Sequence, residues 1–207
     1  TESKERKISI AMGSSLVWVP MIHTFHQKFP QYNISQFNMS TTALTASLND
    51  FSVDFVIAGV GDIPMAELSY EPIKTDGIYL CVPKGHRLAD RECVYMDELC
   101  DEDFINLQVG SPWRRYCDYL FEQAGYEVHS VLECDYTMRA ALIESGFGVS
   151  LTSASAREVD LLKPNRYIRI ADPYARREMA IFWNPRKYIS KAMTDFKQYC
   201  ISYYVAG

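Results

Sequence analysis

Strand-like and helix-like patterns alternate from the first residues onward, and this alternation restricts what the chain can fold into more than any other feature. Residues 7–12 (Lys-Ile-Ser-Ile-Ala-Met) alternate at period two, as a strand does. Gly13-Ser14-Ser15 supplies a turn, and residues 16–29 then place Trp18, Ile22, Phe25 and Phe29 at helical spacing. Pro20 is tolerable only in the opening turn of that helix, and Pro30 stops it. Residues 32–38 form a second strand pattern, Ser40-Thr41-Thr42 offers hydroxyl caps, and 43–49 follows as a short helix. Residues 53–58 give a third strand whose second half is apolar on both faces. The order βαβαβ is the signature of a parallel sheet covered by helices.

The style repeats further on without repeating the sequence. Strands are expected over 68–74, 77–82, 104–108, 127–133, 149–152, 167–170 and 179–183, and a short helix over 96–99. Ser111 and Pro112 open a helix that runs through Ala124 and ends at Gly125, with Ser at the cap and Pro at the first helical position. Asp135 caps a helix over 136–145, which Gly146 closes. A terminal helix over 188–204 carries Ile189, Met193, Phe196, Cys200, Tyr203 and Tyr204 along one face. Two α/β series in 207 residues imply two Rossmann-like lobes, one formed by 7–77 plus 185–207 and the other by 78–184. A single larger domain is the alternative.

Composition narrows the function. With 48% hydrophobic residues the chain can bury one or two cores, and no apolar run approaches the length of a membrane span. The net charge is −5, and the densest basic cluster, Lys4, Arg6 and Lys7, is interrupted by Glu5, so this chain alone is expected to bind DNA poorly. The six cysteines contain no CxxC pair, which argues against structural zinc and suits a reducing cytoplasm. A redox pair such as Cys93 with Cys100 is an open possibility.

Enzyme signatures are lacking. The sequence holds no GxSxG, HExxH, P-loop or complete GxGxxG. Cys117 has no base nearby in sequence, as nucleophilic catalysis would require. His23 and His26 stand at i and i+3 without an acidic partner on the same turn, so no metal is expected, and no cofactor either. Neither catalysis nor metal binding is therefore the expected role.

In open α/β sheets, ligands bind beyond the C-terminal ends of the strands, where helix N-termini present free N–H groups and partial positive charge. Five such turns carry small polar residues: Ser14 and Ser15; Ser40, Thr41 and Thr42; Gln108 through Ser111; Asp135, Tyr136 and Thr137; and Thr152. With two lobes facing each other these turns would converge on one cleft holding a small carboxylate or other polar molecule. Each also has a plain alternative as a helix cap. Arg114, Arg115 and Arg139 could pair an anion, but exposure or a salt bridge is the commoner fate of arginine.

Four passages, taken in order along nearly the whole chain, resemble the effector-binding domain of LysR-type transcriptional regulators. RKISIAMGSSLVWVPMIHTFHQKFPQYNISQF is similar to the family's opening strand, turn and helix. LNDFSVDFVIA is similar to its third strand, with Asp54 kept and Ser52 where glycine is usual. IYLCVPKGHRLA carries the Pro-x-x-His-x-Leu-Ala pattern at Pro83, His86, Leu88 and Ala89, and AALIESGFGVSLTSAS carries the glycine pair Gly146 and Gly148.

The resemblance implies a fold like that of type 2 periplasmic binding proteins. It also implies an effector in the inter-lobe cleft that controls transcription allosterically. Homodimers through helix 16–29 and the helix near 193–203, and tetramers in a full-length protein, are further implications. DNA contact would come through an N-terminal winged helix-turn-helix that this sequence does not include. The alternative on the same scaffold is an extracytoplasmic solute-binding protein of a transporter.

Overall fold

Period-two burial organises the first half of the chain. In the computed structural model, which describes residues 5–13, 16–64, 66–159 and 165–205, strand β1 (Lys7–Met12) lies between β2 (Asn33–Asn38) and β3 (Phe55–Gly59), parallel to both. Strand β10 (Arg176–Trp183) pairs antiparallel with β3, matching Met179 to Gly59 and Phe182 to Val56. Successive side chains on a strand point to opposite faces. Ile8, Ile10, Met12, Phe55, Ile57 and Ile181 therefore enter one core, while Ala11, Val56, Ala58, Ala180 and Phe182 enter another.

Helices cover both faces. Helix α1 (Val19–Lys28) and the terminal α6 (Lys191–Tyr203) supply Met21, Phe25, Met193 and Phe196 to the first core. Phe25 meets Phe196 edge-on at 5.0 Å and Tyr199 at 5.4 Å, favourable aromatic geometry. Helix α2 (Thr41–Asn49) covers the other face with Leu44 and Leu48. Asp54 ties the layers together: its Oδ2 accepts from the Ser9 amide at 2.7 Å and hydroxyl at 2.8 Å, and its Oδ1 pairs with Lys187 at 2.7 Å. Tyr32 donates to Asp195 at 2.7 Å, which also pairs with Lys191. Burial pushes the Asp195 carboxyl up, but the Tyr32 and Lys191 bonds outweigh it and hold it below the usual carboxylate range.

The chain separates into two units, 1–75 with 178–207 and 76–177. Strand β4 (Ser69–Val82) and β10 carry the chain across these boundaries. In unit 2, β8 (Ser150–Ser153) and β9 (Arg166–Ile170) flank the end of β4, both antiparallel, and β5 (Cys93–Val94) pairs parallel with β9. Strands β6 (Phe104–Leu107) and β7 (Ser130–Cys134) form a parallel pair, and a Phe104–Val149 bridge brings β6 to the entry of β8. Helix α3 (Pro112–Gln123) buries Cys117, Leu120 and Phe121, and α4 (Tyr136–Glu144) buries Arg139 and Ile143.

Gly148 has a physical reason at that entry. A Cβ there would stand 2.4 Å from the Asp103 carbonyl oxygen, which accepts the Val149 amide at 2.9 Å. His86 is structural: its Nε2 lies 3.0 Å from Glu102, and its Nδ1 accepts from the Leu88 amide.

Several expectations change. The strands expected over 68–74 and 77–82 are one 14-residue strand, because Gly77 lies within an unbroken extended run and its φ is not left-handed. The segment 178–183, expected in the second lobe, belongs to unit 1 through its ladder with β3. That antiparallel ladder, with those on β4, makes the sheets mixed, not purely parallel. Helix 16–29 begins as a 3-10 turn, Leu16–Trp18, because Pro20 fits only in the first turn of the α-helix that follows. Strand β5 and helix α5 (Ala154–Val159) were not expected, being too short to show a period. The left-handed residue after α2 is Phe51, at φ 60°, where glycine is preferred. No described helix is long and apolar enough to cross a membrane.

Candidate functional site

Most of the polar turn residues sit where helices begin, and the caps among them are engaged. In unit 1 the Ser40 hydroxyl accepts the Ala43 amide at 3.4 Å, starting α2. In unit 2 Ser111 accepts from the Arg114 amide at 3.0 Å and Asp135 from the Met138 amide at 2.9 Å. Such caps contribute about 1 kcal/mol each. The neighbouring residues are left with more freedom. Thr42 and Thr137 are exposed and make no side-chain hydrogen bond among the described residues, and Gln108 is exposed too. Thr41 is half-buried. Ser14 and Ser15 lie outside the described residues.

Two of the expected residues, Tyr136 and Thr152, meet in one small pocket of unit 2 with Arg139, Ser150, Asn165 and Ile143. It has about 10 Å³ to offer a water-sized body, room for about one water molecule. Helix α4 builds one wall, since Tyr136, Ala140 and Ile143 recur at i, i+4 and i+7, and strand β8 builds another with Ser150 and Thr152. Arg139, 6% exposed, donates to the Leu151 carbonyl at 3.3 Å and stacks over the Tyr136 ring at 4.9 Å.

Arg139 overturns the expectation of an exposed or salt-bridged arginine. Among the described residues no carboxylate pairs with it. Arg114 follows the expectation, pairing with Asp118 at 2.7 Å and Glu133 at 2.5 Å. The sequence did hold a signal for Arg139: it lies three residues after Tyr136 and four before Ile143, on the inward stripe of a short helix. Asn165 was also missed. Its side-chain nitrogen is buried and has no hydrogen-bond partner among the described residues.

The arrangement suits binding. Cys117 is buried, and loss of hydration pushes its thiol up to about 12 even though Arg139 and Arg177 pull the other way. Cys200 is pushed up by burial as well. None of the six cysteines is in a disulfide. Among the described residues no three His, Cys, Asp or Glu side chains form a metal-holding group.

Comparison with known proteins accords with this. The chain is 27% identical over 195 residues to an uncharacterized HTH-type transcriptional regulator, YybE, of Bacillus subtilis, covering 93% of this chain and 65% of that protein. It is 27% identical over 187 residues to a probable RuBisCO transcriptional regulator of Cyanophora paradoxa, covering 86% of this chain and 57% of the relative. The chain thus spans about three-fifths of the length of these relatives.

Among solved structures, the BenM effector binding domain with its effector benzoate superposes with a TM-score of 0.80 at 22% identity, over 97% of this chain and 92% of that one. Full-length CbnR complexed with its target DNA gives 0.81 at 16% identity, over 96% and 72%. These establish the shared fold, that of type 2 periplasmic binding proteins. The solute-binding alternative finds no support in these relatives. Residues 1–204 match the model of the LysR substrate binding domain, and the chain belongs to that family.

Proposed function

We propose that this chain is the effector-sensing part of a LysR-type transcriptional regulator, and that its ligand is a small carboxylate. The family match over residues 1–204 carries the reading. The BenM domain, of the same fold, binds benzoate, which supports a carboxylate as the ligand class. The turns of each unit supply the contacts: Ser14, Ser15, Ser40, Thr41 and Thr42 in unit 1, and Gln108, Ser111, Asp135, Tyr136, Thr137 and Thr152 in unit 2. Capping residues hold the helix starts, and the free Thr42 and Thr137 hydroxyls face ligand. The chain performs no catalysis and works in the cytoplasm.

DNA contact belongs to a part of the regulator beyond this chain, in keeping with its net charge of −5. Self-association runs through α1 and α6, giving dimers here and tetramers in the longer protein. Effector binding shifts the DNA-bound assembly by its differential affinity for two states, about 1–3 kcal/mol.

Thermal shift with benzoate and other small carboxylates tests the reading. A ligand at a hundred times its Kd adds about 2.7 kcal/mol of stability. Thr42→Ala and Thr137→Ala, neither of which breaks a cap, should each reduce that shift. A shift unchanged in both variants removes these turns from the site, and no shift with any carboxylate removes the ligand class.

A further inference from the structure

Unit 2 contains a buried cation that no carboxylate neutralises among the described residues. Arg139 is nine-tenths buried, and a guanidinium stays charged at any working pH. Of its five N–H donors one is given to the Leu151 carbonyl, and its plane lies over Tyr136. Burying a charge without a counter-ion is costly, and natural interiors ordinarily supply one. Arg114, in the same unit, has two carboxylates.

The surroundings of Arg139 point the same way. The Asn165 side-chain nitrogen, a donor, lines the same pocket and is buried without an acceptor among the described residues. The Thr152 hydroxyl makes no hydrogen bond there either. Ser150 is close by, donating to the Leu151 carbonyl at 3.2 Å. Among the described residues no acidic side chain lines the pocket, and Cys81, Ala140 and Ile143 complete its wall. Donors from two segments and one cation converge on a space to which no described residue brings a negative charge.

We propose that this pocket is an oxyanion subsite, in which Arg139 and Asn165 take the charged end of a small carboxylate. Its role rests on the effector-sensing reading, while its ligand chemistry rests on the pocket alone. The pocket's room, about 10 Å³, accepts one oxygen of the ligand, in the space of about one water. The second oxygen and the ligand body stay in the mouth beside Tyr136. The guanidinium and the amide donate to the oxyanion, and charge-assisted bonds of this kind are roughly twice as strong as neutral ones. A neutral amide of the same shape can offer its carbonyl oxygen but no charge, so it binds far more weakly.

Side-chain NMR of the full chain, titrated with sodium acetate, tests this directly. Sodium chloride at matched ionic strength and acetamide are the controls. The Arg139 Nε–H signal is assigned with Arg139→Lys and the Asn165 Nδ2 signals with Asn165→Leu. Both signals should shift saturably with acetate, give one common Kd, and shift far less with acetamide. Asn165→Leu, which removes a donor without touching the cation, should weaken acetate about tenfold, a difference of about 1.4 kcal/mol, while the melting curve keeps its cooperativity. Still signals, equal shifts with acetamide, or unchanged affinity in Asn165→Leu would each overturn the subsite. Those results leave the thermal-shift outcome with Thr42 and Thr137 to judge the effector reading separately.

Discussion

Unit 1 and unit 2 use the same strand-and-helix vocabulary but fill their interiors differently. Among the described residues, unit 1 buries few polar side chains, and backbone groups answer them, with Asn184 donating to the distant Leu48 carbonyl at 3.3 Å. Ser47 donates to the Leu44 carbonyl at 2.8 Å, Asp62 accepts the Gly59 amide at 2.9 Å, and Ser190 caps α6. Its two core clusters are made of apolar side chains. Unit 2 buries Asp76, Asn106, Arg139, Thr152, Asn165 and Arg177 among others. Some of these find side-chain partners, as Asn106 does in Ser130 at 2.6 Å and Asp76 in Ser155 at 2.7 Å. Arg139 and Asn165 do not find enough. The first interior is explained by packing alone. The second leaves Arg139 and Asn165 short of partners among the described residues, and it is these two that the proposed subsite uses.

The sharpest way to break this contrast is to cut volume from unit 1. Phe196 is fully buried between Phe25 and Phe55. Phe196→Ala should therefore lower the unfolding free energy by about 3–5 kcal/mol, read by urea titration. A loss under about 1.5 kcal/mol would mean that this core can collapse and is not tightly packed.

A smaller effect is expected from Gly148→Ala in unit 2, at about 1–3 kcal/mol, because the added carbon must move the Asp103 backbone. Amide exchange at Ile105 and Val149 should quicken, since their bonds join β6 to β8. Protection that stays unchanged there would show the junction to be more pliable than its geometry implies.

The smallest change is a gain. Phe51 holds a left-handed backbone at φ 60° while 43% exposed. Phe51→Gly relieves that strain but frees the unfolded chain, for a net stabilisation of about 0.5 kcal/mol. A destabilised variant would show that the Phe51 ring contributes packing.

These elements also show what the sequence made legible. The alternation of Ile8, Ile10 and Met12 with Ser9 and Ala11 revealed a strand, and hydroxyls or Asp before apolar runs revealed the starts of α2, α3 and α4, because both are local patterns. The continuity of β4 was hidden, since Gly77 marks a break as readily as it fills an extended position. The place of β10 was hidden because its partner, β3, lies more than a hundred residues earlier. Of the polar turns, the caps could be foreseen from chain order. The pocket could not, because Arg139, Thr152 and Asn165 become neighbours only through the pairing of β8 and β9 with β4.

The two passages of the chain across the unit boundary, in β4 and β10, bear on the order of events during synthesis. Unit 2 is a continuous stretch, 76–177. A ribosome delivers all of it before it delivers the strand that flanks β3 or the terminal helix that seals the aromatic core. Unit 1 starts first and finishes last. Its incomplete sheet must wait with the edge of β3 unpaired, and an arrest in translation before residue 178 would release a product with one finished half and one exposed template for mispairing.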